Sequence, residues 1–255
     1  MTLASSRLPD AWASTPDTLA GRVILVTGAC GGLGTAVARA AARAGATVVI
    51  TGRRRRQLEQ LYDAMLAEQL PEPVIHPLDL EAATPNDYQA VADGLARDFG
   101  RLDGIVHAAA SFDGLTPIAM HKPDEWLRAL HVNVSAPFAL TQACMPLLTA
   151  APDSAVVFVL DNPELVCRAH WGAYGVSKAA IERFVEILHQ ETDTTSLRTH
   201  ALLPAPMRTA LRRQAYFGED TSKLPLPDVA AEAAVYLLGP EGVAARGALL
   251  DLREG

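Results

Sequence analysis

From Arg22 onward, short apolar runs rich in β-branched residues alternate with longer stretches of helical periodicity. "RVILVT" is followed by "GTAVARAAARAG", and "TVVIT" by "RRQLEQLYDAMLAEQ". The rhythm continues through "PVIHPLDL", "LDGIVHAAA", "AVVFVL", "LRTHALL" and "GALLDL", each but the last leading into another helical pattern. This alternation predicts βαβ units and about seven strands. The runs are apolar at nearly every position, as buried strands of a parallel sheet must be when helices cover both faces. The pattern therefore predicts an α/β fold, a single Rossmann-like doubly wound parallel sheet. No linker, fixed-period repeat or shift in composition divides the chain, so residues 21–255 read as one domain.

Composition narrows the function classes. Hydrophobic residues make up 49% and charged residues 20%, and the net charge of −7 discourages binding to nucleic acid. The opening "MTLASSRLPDAWASTPDTLAG" has no apolar run of signal-peptide type, and positions 1–20 read as a mobile leader. No stretch approaches the roughly 18 to 20 apolar residues of a membrane span. Cys30, Cys144 and Cys167 lack metal-ligand spacing, which favours a cytoplasmic protein with inert thiols and no metal.

Candidate chemistry begins after the first strand. In "TGACGGLG", Gly28, Gly32 and Gly34 allow a sharp turn and close approach to a pyrophosphate at a helix N-terminus. Taken alone, the cluster is also compatible with a plain strand-to-helix turn; its position after a buried strand favours a nucleotide. The second strand ends at Gly52 and Arg53, where a free ribose 2′-hydroxyl would call for Asp or Glu. Arg53 and Arg54 instead suit a 2′-phosphate, with no carboxylate expected nearby, so NADP is preferred over NAD; the remaining arginines, Arg55 and Arg56, open a solvated helix.

Tyr174 and Lys178 stand four apart at the start of a helical pattern, so both side chains share one face. An ammonium beside a phenol favours the phenolate and suits the pair to proton exchange with an alcohol or carbonyl. A Tyr and a Lys at this spacing also arise by chance, and their weight comes from the surrounding motifs.

From Arg22 to the end the chain resembles the short-chain dehydrogenase/reductase family. The resemblance rests on "TGACGGLG", "LDL" at Leu78 to Leu80, "HVNVSAPF", "YGVSK" and "PAPMRT", all in the family's order. "HWGAYGVSKAAIERF" with "MRTALRRQAYF" further resembles its YciK-like subgroup of uncharacterised oxidoreductases. The resemblance implies a strand order of 3-2-1-4-5-6-7 and Tyr174 as the general acid/base. Lys178 would bind the nicotinamide ribose, and Asn133 would position a water in a proton relay. It implies adenine contact by Asp79 and Leu80, and cofactor contact by Cys30, Leu33 and Ala109. Pro204 to Thr209 would lie along the nicotinamide, and a homodimer or homotetramer would form through the helices bearing Asn133 and Tyr174.

Three positions depart from the family pattern. The substrate-orienting Ser, thirteen residues before the Tyr, is replaced by Asp161. An ionised carboxylate only accepts hydrogen bonds and repels an oxygen gaining negative charge. A protonated Asp161, a donor from Asn162, or a substrate whose own donor meets the carboxylate would each resolve the conflict. Ala110 and Ala205 replace glycines near the nicotinamide half of the cofactor site. His170 and Trp171 either line the substrate mouth or pack under their loop, and His107 reads as a core histidine. "RRQAYFGEDTSKLPLP", 212–227, is either a lid offering Tyr216 and Phe217 as apolar cover or an exposed connector. The expectation is an NADP(H)-dependent oxidoreductase of a small carbonyl or alcohol, with a nucleotide-binding pseudoenzyme acting as scaffold or sensor as the alternative.

Overall fold

The structure, a computed structural model, describes residues 3–10 and 12–253. Eight parallel strands form one sheet: β1 (Ala4–Ser6), β2 (Val23–Thr27), β3 (Thr47–Gly52), β4 (Val74–Pro77), β5 (Gly104–His107), β6 (Ser154–Val159), β7 (Leu197–Leu203) and β8 (Ala248–Asp251). Their order is β1-β8-β7-β6-β5-β2-β3-β4. With β2 counted as the first, the seven expected strands follow the implied 3-2-1-4-5-6-7.

Helices cover both faces: α1 (Gly32–Arg43), α2 (Arg55–Ala67), α3 (Pro85–Phe99), α4 (Pro123–Leu130), α5 (Ala136–Ala150), α6 (Pro163–Val166), α7 (Gly172–Thr192), α8 (Ala210–Ala215) and α9 (Asp228–Leu238). Ile24 and Val26 of β2 pack in one core with Val37 of α1, Leu58 of α2 and Val235 of α9. Val23 and Leu25 of the same strand face the other core, with Val91 of α3, Leu140 of α5 and Val185 of α7. Successive strand side chains point to opposite faces, so a strand packed on both sides must be apolar throughout, which is the pattern legible in "VILV".

The leader expected at 1–20 is corrected within the described residues. β1 pairs with β8 in the register Ala4↔Ala248, Ser5↔Leu249 and Ser6↔Leu250. Leu19 is completely buried, and the Trp12 ring meets Tyr236 of α9 edge-on, 5.2 Å between centroids. This segment closes a sheet edge because β8 would otherwise present unpaired backbone groups. Positions 1, 2 and 11 of the expected leader lie outside the described residues.

Because all strands are parallel, their C-terminal ends share one edge, where open α/β sheets bind ligands. Among the described residues no helix is long and apolar enough to cross a membrane.

Candidate active site

A cleft of about 880 Å³ runs along that edge. One end is formed by the turn between β2 and α1. Gly28 has φ +64, and a Cβ there would lie 2.6 Å from Ala109 Cα. A Cβ on Gly34 would collide with the Gly28 carbonyl. Both positions therefore exclude a side chain, and the backbone of α1's first turn is left open toward the cleft. Thr35 Oγ1 donates to Ala29 O (2.7 Å) and Gly31 N to Gly28 O (2.8 Å), fixing the turn. Gly28, Gly32, Leu33 and Gly34 line the cleft. Cys30 does not: its Sγ lies on the side of Gly52, and burial raises its thiol pKa despite the opposing charge of Arg54.

Arg53 and Arg54 line the cleft beyond the end of β3, with Asp79 and Leu80 after β4. The expectation that no carboxylate stands near Arg53 is also corrected. Arg53 Nη1 pairs with Glu81 Oε2 at 3.3 Å, and Arg128 Nε reaches the other Glu81 oxygen at 3.7 Å. Asp79 Oδ1 accepts from the backbone N–H of Glu81 at 3.1 Å, which holds that loop. Ala109 and Ala110 line the middle of the cleft, and Pro204, Ala205 and Thr209 line it after β7. Ala109 N donates to Thr27 Oγ1 (3.3 Å), and Thr209 caps α8 by accepting from Arg212 N (3.1 Å).

The other end carries the proton chemistry. Tyr174 and Lys178 are one turn apart on α7 and both are buried. Tyr174 Oη donates to Asp161 Oδ2 at 2.8 Å, while Asp161 Oδ1 accepts from Asn162 N at 2.7 Å. Lys178 Nζ donates to Val159 O at 2.8 Å and lies 5.5 Å from the Tyr174 ring centre. The expected lowering of the phenol pKa is reversed: burial, then the charge and hydrogen bond of Asp161, push Tyr174 well above its ordinary value. Burial also lowers the Lys178 ammonium, against the opposing pull of Asp161. Tyr174 is therefore a phenol, poised as a donor. Asn162 is used as a helix cap, its Oδ1 accepting from Glu164 N at 3.0 Å at the start of α6.

Asn133 sits in a π-helical turn, His131–Ser135, between α4 and α5. Such turns interrupt an α-helix to aim a particular group. Asn133 does not line the cleft. Its Nδ2 donates to Ser111 O (2.9 Å) and Ser177 Oγ (3.0 Å), and its Oδ1 accepts from Ser111 N (2.7 Å). It thus clamps the chain after β5 to α7, one residue before Lys178.

Around Asp161 the cleft is walled by aromatic rings. Phe112 lies 5.4 Å from Trp171 and 5.2 Å from Tyr174, and Trp171 lies 5.9 Å from Tyr216. Of the pair left open from sequence, Trp171 is buried and lines the cleft, while His170 is exposed with φ +78. Tyr216 lines the cleft, whereas Phe217 is 91% exposed and does not. Arg212 lies 3.5 Å over the Tyr216 ring and pairs with both oxygens of Glu219, at 2.6 and 2.8 Å. Sequence reasoning missed Ser111, Phe112, Ser177 and Arg212. Ser177 alone had a signal, standing three residues after Tyr174 on the same helix. His107 is a core histidine, as expected: its Nε2 meets Thr141 Oγ1 at 2.9 Å, and burial brings its pKa down to about 3.

The profile of the short chain dehydrogenase family matches residues 22–219. The chain is 35% identical over 239 residues to the uncharacterized oxidoreductase YciK of Escherichia coli (strain K12), with 94% of each chain covered. A short chain dehydrogenase structure from Pseudomonas syringae shares 36% identity, with a TM-score of 0.88 over 94% of this chain and 98% of that one. Another, from Escherichia coli CFT073 and complexed with NADPH, shares 35% identity, with a TM-score of 0.89 over 93% and 98%. Agreement in both sequence and backbone over nearly the whole length makes this protein an oxidoreductase that belongs to the short chain dehydrogenase family.

Proposed function

We propose that the chain is an NADP(H)-dependent oxidoreductase of a small carbonyl or alcohol, with Asp161 giving it an atypical active site. The observation that carries this reading is that a side-chain-free turn at a helix N-terminus and a buried Tyr–Lys pair open into one cleft. Gly28 and Gly34 fit a pyrophosphate, since the close backbone packing they allow forms a tight turn that presents the first turn of α1 to the cleft. Arg53 and Arg54 fit a 2′-phosphate, and the NADPH carried by the Escherichia coli CFT073 relative supports the same preference. Ala110 and Ala205 narrow the cleft by a methyl group each without closing it.

When bound, the nicotinamide supplies or takes up the hydride. In carbonyl reduction Tyr174 Oη gives its proton to the substrate oxygen, and in alcohol oxidation it takes one back. Lys178 spends one N–H on Val159 O and has others to offer a ribose hydroxyl. Asn133 holds Ser111 and Ser177 so that α7 presents Tyr174 and Lys178 at a fixed depth. Asp161 accepts a hydrogen bond from the Tyr174 hydroxyl in the resting site. With a neutral substrate its charge opposes the oxyanion that develops during hydride transfer in either direction. The binding-only alternative gains nothing from the comparisons, whose named relatives are an oxidoreductase and dehydrogenases.

The reading extends to a cytoplasmic protein and to a homodimer or homotetramer formed through α5 and α7, whose Phe138 and Ile187 are half-exposed; fractionation and light scattering check the two. Fluorescence titration with NADPH and NADH at fixed salt tests the cofactor. NADPH is expected to bind more tightly than NADH, and Arg53→Ala to remove most of that difference. Absence of binding by either cofactor would sink the reading.

A further inference from the structure

The carboxylates that line the cleft are not alike. Glu81 and Asp113 are paired with arginines, at 3.3 and 2.8 Å, and Asp79 is exposed to water. Asp161 is half-buried, and among the described residues no Lys, Arg or His nitrogen lies within ion-pair distance of it. Its partners are two neutral donors, the Tyr174 hydroxyl and a backbone N–H. The nearest cations act on Asp161 only at longer range: Lys178 donates to Val159 O, and Arg212 pairs with both oxygens of Glu219. A half-buried carboxylate with no counter-ion in contact has room for one, and a positive charge brought to it is favoured.

The walls around Asp161 have the matching chemistry. Phe112, Trp171 and Tyr216 line the same end of the cleft, Tyr216 with the Arg212 guanidinium over one face of its ring. Aromatic faces attract cations, and more strongly where water is excluded. The geometry points to a substrate that carries a protonated amine beside its reacting carbon, with Asp161 as the counter-charge and Phe112, Trp171 and Tyr216 as the walls. The inference rests on the oxidoreductase reading, because it names the substrate class of the same site.

Such a substrate removes the conflict at Asp161. A neutral carbonyl meets a carboxylate where its oxygen gains negative charge. An amino ketone or amino alcohol brings an ammonium that neutralises the carboxylate and itself stabilises the adjacent oxyanion. Tyr174 then keeps its hydroxyl for the substrate oxygen, since the ammonium can take over Asp161 Oδ2.

The test uses three ligands of one skeleton that differ in charge: 2-amino-1-phenylethanol, 1-phenyl-1,2-ethanediol and mandelate. Calorimetry on the full chain at neutral pH, with and without NADPH, ranks them. The amine is expected to bind at least about tenfold more tightly than the diol, as a charge-assisted hydrogen bond does. Asp161→Asn, which keeps the shape and a partner for Tyr174, should collapse that ratio toward unity. Equal binding of amine and diol overturns the inference, as does no amine binding up to about 10 mM. Tightest binding by mandelate also overturns it and makes Arg212 the determinant. Failure of NADPH to bind would remove the oxidoreductase reading alone, since the charge ranking without cofactor still decides whether Asp161 holds a cation.

Discussion

Two polar networks lie at opposite edges of the same sheet, and they are built on opposite terms. At the N-terminal edge, Arg198 of β7 is 1% exposed. It donates to both oxygens of Asp153 (2.8 and 3.2 Å), to Leu237 O (2.7 Å) and to Gly239 O (3.0 Å). Arg22 completes Asp153 at 2.5 Å, and His200 Nδ1 meets Ala245 O at 2.9 Å. Every strong charge there has its match inside the protein. At the C-terminal edge, Asp161 has no cation in contact among the described residues, Lys178 gives one hydrogen bond, and Tyr174 donates to a carboxylate that a suitable ligand can claim. A saturated network leaves no bond for a ligand and serves the fold. An incomplete one holds unspent charge where the cleft admits a partner.

The largest expected effect falls on the saturated side. Arg198→Met leaves Asp153 short of its main partner and strands the Leu237 carbonyl, and should cost about 3–5 kcal/mol in urea unfolding. NADPH affinity in the surviving folded protein should be unchanged. A loss under about 1 kcal/mol would mean that the two networks are not distinguished by saturation.

On the incomplete side, Asp161→Ser should leave the unfolding midpoint nearly unaltered. It should raise reduction of a neutral aryl ketone by about 100-fold or more, because a hydroxyl donor replaces a repelling carboxylate. Initial rates with NADPH read this directly. An unaltered rate would shift the blame to Ala110 and Ala205.

The third effect is smaller near neutrality and has a definite sign. Burial holds His107 and His200 neutral in the fold, bringing each pKa down to about 3. In the unfolded chain each takes up a proton near pH 6.5. The unfolded state therefore binds more protons between these values, and stability is full above about pH 6.5 and falls as pH drops toward 3. The loss between about pH 7 and about pH 6 should be on the order of 1 kcal/mol, read from urea midpoints. Asp153 adds to the fall at lower pH: burial raises its pKa, but Arg198 and Arg22 outweigh that and hold it below its usual value. A flat midpoint from pH 7 to pH 5 would show that the buried histidines carry protons in the fold.

The sheet and the poles of the cleft were legible because each rests on local pattern, whereas the strand order followed from the family resemblance. Apolar runs mark strands, Gly28 and Gly34 mark a turn that no side chain can enter, and the spacing of Tyr174 and Lys178 places them on one face. What escaped depends on partners distant in sequence. β1 is three residues, "ASS", with no apolar signature, and it is a strand only because β8 offers an edge. Glu81 meets Arg53 across 28 positions, so no reading of the arginine run alone finds it. Asn133 was placed at the site, but its part as a clamp needs Ser111 and Ser177, which lie on other elements. The phenol pKa was misjudged because the one charged neighbour visible at helical spacing was Lys178. The group that touches the hydroxyl, Asp161, comes from the end of β6.

The pairing of β1 with β8 joins opposite ends of the described chain. During synthesis, β1 leaves the ribosome well before its partner β8. Until Ala248–Asp251 emerges, both β7 and β1 carry an open edge able to pair with another chain. The interval of exposure to misassembly thus lasts until β8 has been made, and the step that ends it also sets β8 between β7 and β1.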